Sequence, residues 1–208
     1  MAKKSKKPSS YHHGDLKQTL IGHALSIIDN EGIGGLTLRK AARHAGVSHA
    51  APAHHFGDMK GLMVAIAIKG FSKMILQMEK ALSQTKDDNS LLKLKLIGLA
   101  YIEFAVQHRS FFKVMYHSEL SKKGPYPDLE KESRIPFKLL KSTVQDCQDN
   151  QLIKKGDIEN IALFAWSTVH GIANLLVDSQ LKSKGLLGDD MQYADHVTNL
   201  LYTGLKYQ

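Results

Sequence analysis

The stretch LTLRKAARHAGVSHAAPAHHF, residues 36–56, decides how the rest of the chain is read. It spells helix, tight turn, helix. Thr37 is placed to cap the first helix, its hydroxyl accepting from one of the amides that a helix start leaves without a partner. Leu38, Ala41, Ala42 and Ala45 then recur at helical spacing. Gly46 follows the last of them, where a left-handed backbone costs little only for glycine. Val47 is placed to fill the gap between two helices, and Ser48 to cap the second. Alanines at 42 and 51 permit two short helices to approach closely, as a helix-turn-helix requires. A helix starting at Ser48 would carry His49, Ala50, Ala53 and His54 toward solvent. A polar first turn is the part of such a motif that enters the DNA major groove.

Residues 11–65 resemble the DNA-binding domain of the TetR/AcrR family of bacterial transcriptional regulators. The matching features stand in order: YHHGDLKQTLIGHAL, Glu31-Gly32, LTLRKAARHAGVS, HHF and Lys60. The resemblance implies an all-α fold, with a three-helix helix-turn-helix head joined to a larger helical bundle for ligand binding and dimerisation. It implies DNA contacts at Thr37, Arg39, Ser48, His49, Ala50, Ala53, His54, His55 and Lys60, with Lys60 against the backbone. One position departs. The family usually has an aromatic two residues before the His at 55, and Ala53 stands there, which implies the loss of one operator-backbone contact.

Charge distribution agrees with a nucleic-acid partner. The net charge is +8, and residues 1–70 hold ten Lys/Arg against four Asp/Glu, while residues 71–208 hold eighteen against sixteen. The positive potential therefore lies on the same third as the motif. A solubilising basic tail explains the charge alone equally well. At 208 residues and 43% hydrophobic content the chain suits one or two soluble domains with a sizeable core. No uninterrupted apolar run approaches the ~20 residues of a membrane span, and no apolar segment follows the basic start as in a secretory signal. The single cysteine, Cys147, excludes an internal disulfide framework and suits a reducing cytoplasm. The expected location is thus the bacterial cytoplasm, on the nucleoid when bound to DNA.

Three segments are expected: a basic, disordered arm at 1–10, the reading head at 11–70, and a helical ligand and dimer domain at 71–208. The arm, MAKKSKKPSS, is either a phosphate-tracking or minor-groove extension or an idle tail. A first helix is expected over 15–30, capped by Asp15, with Leu16, Leu20, Ala24, Ile27 and Ile28 on its apolar face. A connecting helix comes next over 58–82, capped by Asp58, as a lever between two sites. Then come a loop at 83–89, an apolar helix over 90–117 broken at His108-Arg109, and a loop at 121–127. The last helices are expected at 128–150, 157–180 and 190–206.

In the first of the final pair, Trp166, His170 and Gly171 form a W-x-x-x-H-G pattern that resembles the C-terminal domain of one TetR subgroup. The two rings lie one helical turn apart and share a face. Phe104, Trp166 and His170 are the candidates to border a small-molecule effector cavity; core packing about Gly171 is the competing reading. The resemblance implies a homodimer through residues 157–206 and a palindromic double-stranded DNA operator.

Other chemistries lack their residues. The histidines at 12, 13, 44, 49, 54 and 55 come without a cysteine or paired carboxylate, so neither a metal nor any other cofactor is expected. Glu31-Gly32-Ile33-Gly34-Gly35 lacks the spacing of a dinucleotide loop. No nucleophile elbow, P-loop or H-E-x-x-H occurs, so Cys147 and His170 are not expected to form a catalytic pair. The function implied is a regulator, a repressor released by an apolar ligand. The alternative is a TetR-like adaptor or nucleoid-associated factor that acts through a protein partner.

Overall fold

The computed structural model describes residues 13–85, 88–122, 124–186 and 188–206. The basic arm expected at 1–10 lies outside them. Helices succeed one another along the chain, and among the described residues the only extended pairing is an isolated bridge between Ile153 and Lys206. The all-α expectation holds. The chain divides into two compact units between Ala65 and Ile66, a little before the boundary expected at 70.

The first unit begins with α1 (His13–Glu31). Asp15, expected just before this helix, falls within its bounds. Leu20, Ala24, Ile27 and Ile28 recur every three or four residues and are buried, which makes α1 the support for the next two helices. After a short 3-10 turn (Ile33–Gly35) comes α2 (Leu38–His44). Thr37 caps it as expected, Oγ1 accepting from the Lys40 amide at 3.1 Å. Its end is a Schellman motif. Gly46, at φ 65°, donates to the Arg43 carbonyl at 3.2 Å, and Val47 donates to the Ala42 carbonyl at 3.1 Å.

The second helix of the motif, α3 (Ala51–Phe56), starts later than expected. Ser48 does not cap it. The first backbone bond of a helix capped at Ser48 would run from the amide of residue 52 to the Ser48 carbonyl, and Pro52 has no amide to give. The Ser48 carbonyl accepts from the Ala51 amide instead, at 3.0 Å, in a tight turn. The regular ladder begins two residues later, with His54 donating to Ala50 at 3.0 Å. Pro52 is buried and sits near the helix start, where a missing amide is tolerated.

Gly57, at φ 76°, ends α3, and α4 (Met59–Ser83) comes next with Asp58 as its cap, Oδ1 accepting from the Gly61 amide at 2.8 Å. The corner is tight. A Cβ at Gly61 would lie 1.9 Å from the Phe56 carbonyl oxygen, so only glycine fits there.

The second unit contains the rest of α4, then α5 (Ser90–Gln107), α6 (Arg109–Met115), α7 (Ser118–Ser121), α8 (Pro127–Asp149), α9 (Ile158–Val177), α10 (Gln180–Ser183) and α11 (Asp190–Leu205). Asn89, Asp157 and Asp189 cap α5, α9 and α11 through their side chains. The expected break falls at His108. The central helix α5 packs on α8, α9 and α11, and α9 also packs on both α8 and α11. Gly98 permits the approach, since a Cβ there would already press on Val169 of α9 at 3.3 Å. Two helices, α4 and α9, are long and apolar enough to cross a membrane by length and composition, contrary to the expectation from uninterrupted runs. Buried side chains supply part of that character, among them Ile66, Phe71 and Met74 on α4 and Ala165, Val169 and Leu176 on α9, and α9 adds the exposed Leu163 and Phe164.

The α3–α4 corner yields a prediction. Gly61→Ala forces backbone against a methyl group, and overpacking of this kind costs about 1–3 kcal/mol. A melting temperature several degrees lower by circular dichroism is the expected outcome; an unchanged one would show that the corner relaxes freely.

Candidate functional site

Each unit presents one candidate site. In the first, the outer surface of α2, the turn and α3 carries polar and basic side chains, while Ala41, Ala42 and Pro52 point into the core. Arg39, Arg43, His44, Ser48, His49, Ala50, Ala53 and His54 are all exposed. Thr37 is exposed as well, with its hydroxyl engaged in capping. His55 is half-buried, its ring 6.3 Å from Phe56 and 5.4 Å from His54. Lys60 is half-buried in the first turn of α4. Residues 36–56 contain no Asp or Glu, so nothing on the motif itself repels phosphate.

Two basic residues beyond the expected set belong to this picture. Arg43 lies exposed in the last turn of α2. Lys17 of α1 places its ammonium 5.9 Å from the centre of the Phe56 ring. A count of exposed cations on each predicted helix face would have found Arg43; the Lys17 contact depends on how α1 and α3 pack and has no local signal. Lys40 plays a different part, pairing with Glu31 and holding its carboxyl below the usual range. Among the described residues no three His, Cys, Asp or Glu side chains converge as a metal site.

The second unit encloses a cavity of about 400 Å³ between α4, α5, α6, α8, α9 and α11. That volume lies within the range of small-molecule sites. Trp166 lines it, together with Phe71, Tyr101, Tyr116, Phe137 and Tyr202. Phe104 does not. The lining of α5 ends at Tyr101, and Phe104, almost a turn further on, is fully buried with its ring 5.1 Å from His108. His170 does not line the cavity either. It stands behind the wall, where its Nδ1 meets the Tyr101 hydroxyl at 2.7 Å. Four other rings surround this imidazole, Tyr116 at 4.6 Å, Trp166 at 5.4 Å, Phe112 at 5.5 Å and Tyr101 at 6.2 Å.

Burial sets the protonation of this cluster. It lowers the His170 pKa, which favours the neutral ring. It raises the Tyr101 phenol well above its ordinary value and pushes Tyr116 up to about 12, against hydrogen bonding from Tyr101 and Trp166. Both phenols keep their protons at neutral pH. Cys147, buried on α8, is likewise pushed up to about 12, too high for a thiolate nucleophile.

The outer faces of α9 and α11 are unexpectedly apolar. Leu163 and Phe164 on α9 are 47% and 55% exposed, and Leu200 on α11 is 73% exposed. Gly171 belongs to this outer face. A Cβ there would meet nothing within 4 Å, so close approach inside the chain is not its role.

Residues 94–200 match the family described as the tetracyclin repressor-like C-terminal domain. An uncharacterised helix-turn-helix transcriptional regulator of Bacillus subtilis, YobS, is 23% identical over 100 residues, 48% of this chain and 51% of the relative, so the chain spans about half the length of that curated relative. A solved protein of unknown function from Rhodococcus sp. RHA1 is 31% identical with a TM-score of 0.80, covering 96% of this chain and 100% of the other. A regulatory protein of the TetR family from Rhodococcus RHA1 shares the fold at 17% identity and a TM-score of 0.75, covering 93% and 98%. The exposed helix-turn-helix, the helical bundle with its cavity and the match over half the sequence agree: the chain belongs to the tetracycline repressor-like (TetR) family of DNA-binding transcriptional regulators, which are not enzymes.

Proposed function

We propose that the protein is a homodimeric, sequence-specific repressor that an apolar small molecule releases from its operator. One observation carries this reading: an acid-free, exposed helix-turn-helix in one unit and a largely apolar cavity in the other. The exposed Ser48–Ala50 turn and α3 would face the major groove. There the methyl groups of Ala50 and Ala53 suit thymine, and His49 and His54 suit purine N7 or phosphate. Thr37, Arg39, His55 and Lys60 would hold the backbone, adding salt-dependent affinity with little sequence preference.

Dimerisation through residues 157–206 explains why Leu163, Phe164 and Leu200 are left in solvent. Gly171 would let two copies of α9 approach closely. A dimer reads two half-sites about one helical turn apart, hence a palindrome. A ligand would act by favouring a dimer arrangement with poorly spaced heads, and only to the extent that it binds that arrangement better. The protein would work on the nucleoid, in the cytoplasm. A second reading has one specific observation in its favour. Ala53 replaces an aromatic that anchors relatives to DNA, which suits a generic DNA-holding adaptor acting through a protein partner.

Selection from random duplex DNA at near-physiological salt separates the two. A palindromic motif is the expected outcome; no motif, with binding that vanishes as salt rises, would favour the adaptor. On a selected site, Lys60→Ala should weaken all sequences about equally and reduce the salt slope by about one, whereas His49→Ala should alter base preference. An unchanged slope would remove Lys60 from the phosphate contacts. Phe164→Glu buries a charge in the expected dimer interface and should yield monomers by sedimentation at micromolar concentration. A persistent dimer would place the interface elsewhere.

A further inference from the structure

The charge inventory of the cavity wall narrows what can enter. Among the described residues, Lys95 is the only one in the lining with a permanent charge, and no Asp or Glu lines the cavity. The Lys95 ammonium is already held by Asp195 at 2.8 Å and by the Asn199 side-chain oxygen at 2.6 Å. His117, also in the wall, uses its Nδ1 to accept from the Glu119 amide. A carboxylate ligand would have to displace Asp195 to find a counter-charge, and an ion left unpaired after desolvation is disfavoured. A cation would meet aromatic faces on Phe71, Tyr101, Tyr116, Phe137 and Trp166, which attract it, but no carboxylate in the wall to pair with it, since Asp195 is taken by Lys95.

Two further phenols in the wall, Tyr116 and Tyr202, can orient a neutral guest. The Tyr101 hydroxyl is engaged with His170, whereas Tyr116, at the end of α6, accepts from Tyr101 and Trp166, which fixes its ring, and keeps its own proton to donate. We propose that the cavity takes an uncharged, largely apolar molecule bearing one hydrogen-bonding oxygen, a ketone, alcohol or phenol, and that the Tyr116 hydroxyl reads that oxygen. Tyr101, held from behind by His170, acts as a positioning residue: it fixes the wall against which Tyr116 and Trp166 are set. The inference rests on the effector reading given above and supplies the ligand class for it.

Trp166 is the chain's only tryptophan and lines the cavity, so its fluorescence reports occupancy directly. The test titrates the full chain with methyl octyl ketone, decanoate and decyltrimethylammonium, each below its micelle concentration. The ketone should perturb Trp166 saturably and bind roughly tenfold or more tighter than either ion, because neither ion finds a free counter-charge. Tyr116→Phe should weaken the ketone about fivefold, the loss of one neutral hydrogen bond. Methyl octyl sulfide, of the same length but with only a weakly accepting sulfur in place of the carbonyl, should bind about fivefold more weakly than the ketone.

Decanoate or the ammonium binding as tightly as the ketone would overturn the proposal. So would a folded Tyr116→Phe variant with full ketone affinity. If that variant fails to fold, methyl octyl sulfide binding the unaltered chain as tightly as the ketone overturns it instead. Silence of Trp166 toward all three probes would overturn the effector-cavity reading itself.

Discussion

A helix of six residues cannot hold itself in water, because nucleation fixes several dihedrals before the first hydrogen bond forms. The reading head depends on how α3 escapes that limit. It is gripped at both ends by left-handed glycines, Gly46 before the turn and Gly57 after the helix. It is pinned in its first turn by Pro52, buried where a missing amide does least harm. Gly61 then lets α4 begin against the Phe56 carbonyl. Because the backbone and the buried side set the position of α3, its outer side is free to vary. Alanines and histidines can occupy it without any role in stability.

The helical unit solves a different problem. It must keep an internal space open in a fold whose natural tendency is close packing. Large aromatic side chains hold that space. Phe112, Tyr101, Tyr116, Trp166 and His170 lean on one another with centroids between 4.6 and 6.4 Å, so none can swing inward without losing several partners. Pro136 interrupts the backbone ladder of α8 and stands in the cavity wall. Helix α9 has one side on this cluster and the other bearing Leu163, Phe164 and Gly171. A change in the wall is therefore one side chain away from the surface on which a partner copy would lie.

Much of the fold was legible because its signals are local. The Thr37 and Asp58 caps, the Gly46 turn and the break at His108 each depend on a few adjacent residues, and each stands where the sequence placed it. Ser48 misled because it has the right side chain for a cap, while the decisive fact was a missing amide four residues later. The cavity was legible only in part. Phe104 and Trp166 are both aromatics on apolar helices, and the same helical period serves a packed core and a cavity wall. Which turn of α5 faces the opening depends on how it crosses α8, α9 and α11, and no short stretch encodes that. The competing reading of Gly171 as a core contact failed for the same reason: a small residue permits close approach equally well inside a chain or between two.

We propose that the exposed side of α2, the turn and α3 is the surface that meets DNA. Amide hydrogen exchange of the full chain, measured free and bound to a selected duplex, is the decisive measurement. Slowed exchange is expected on the Gly46–Ala51 turn, α3 and the first turn of α4, extending to α9 and α11 only if DNA also tightens a dimer through them. Unchanged exchange across residues 37–60, with protection confined to the helical unit, would contradict it and assign the DNA contact to another surface.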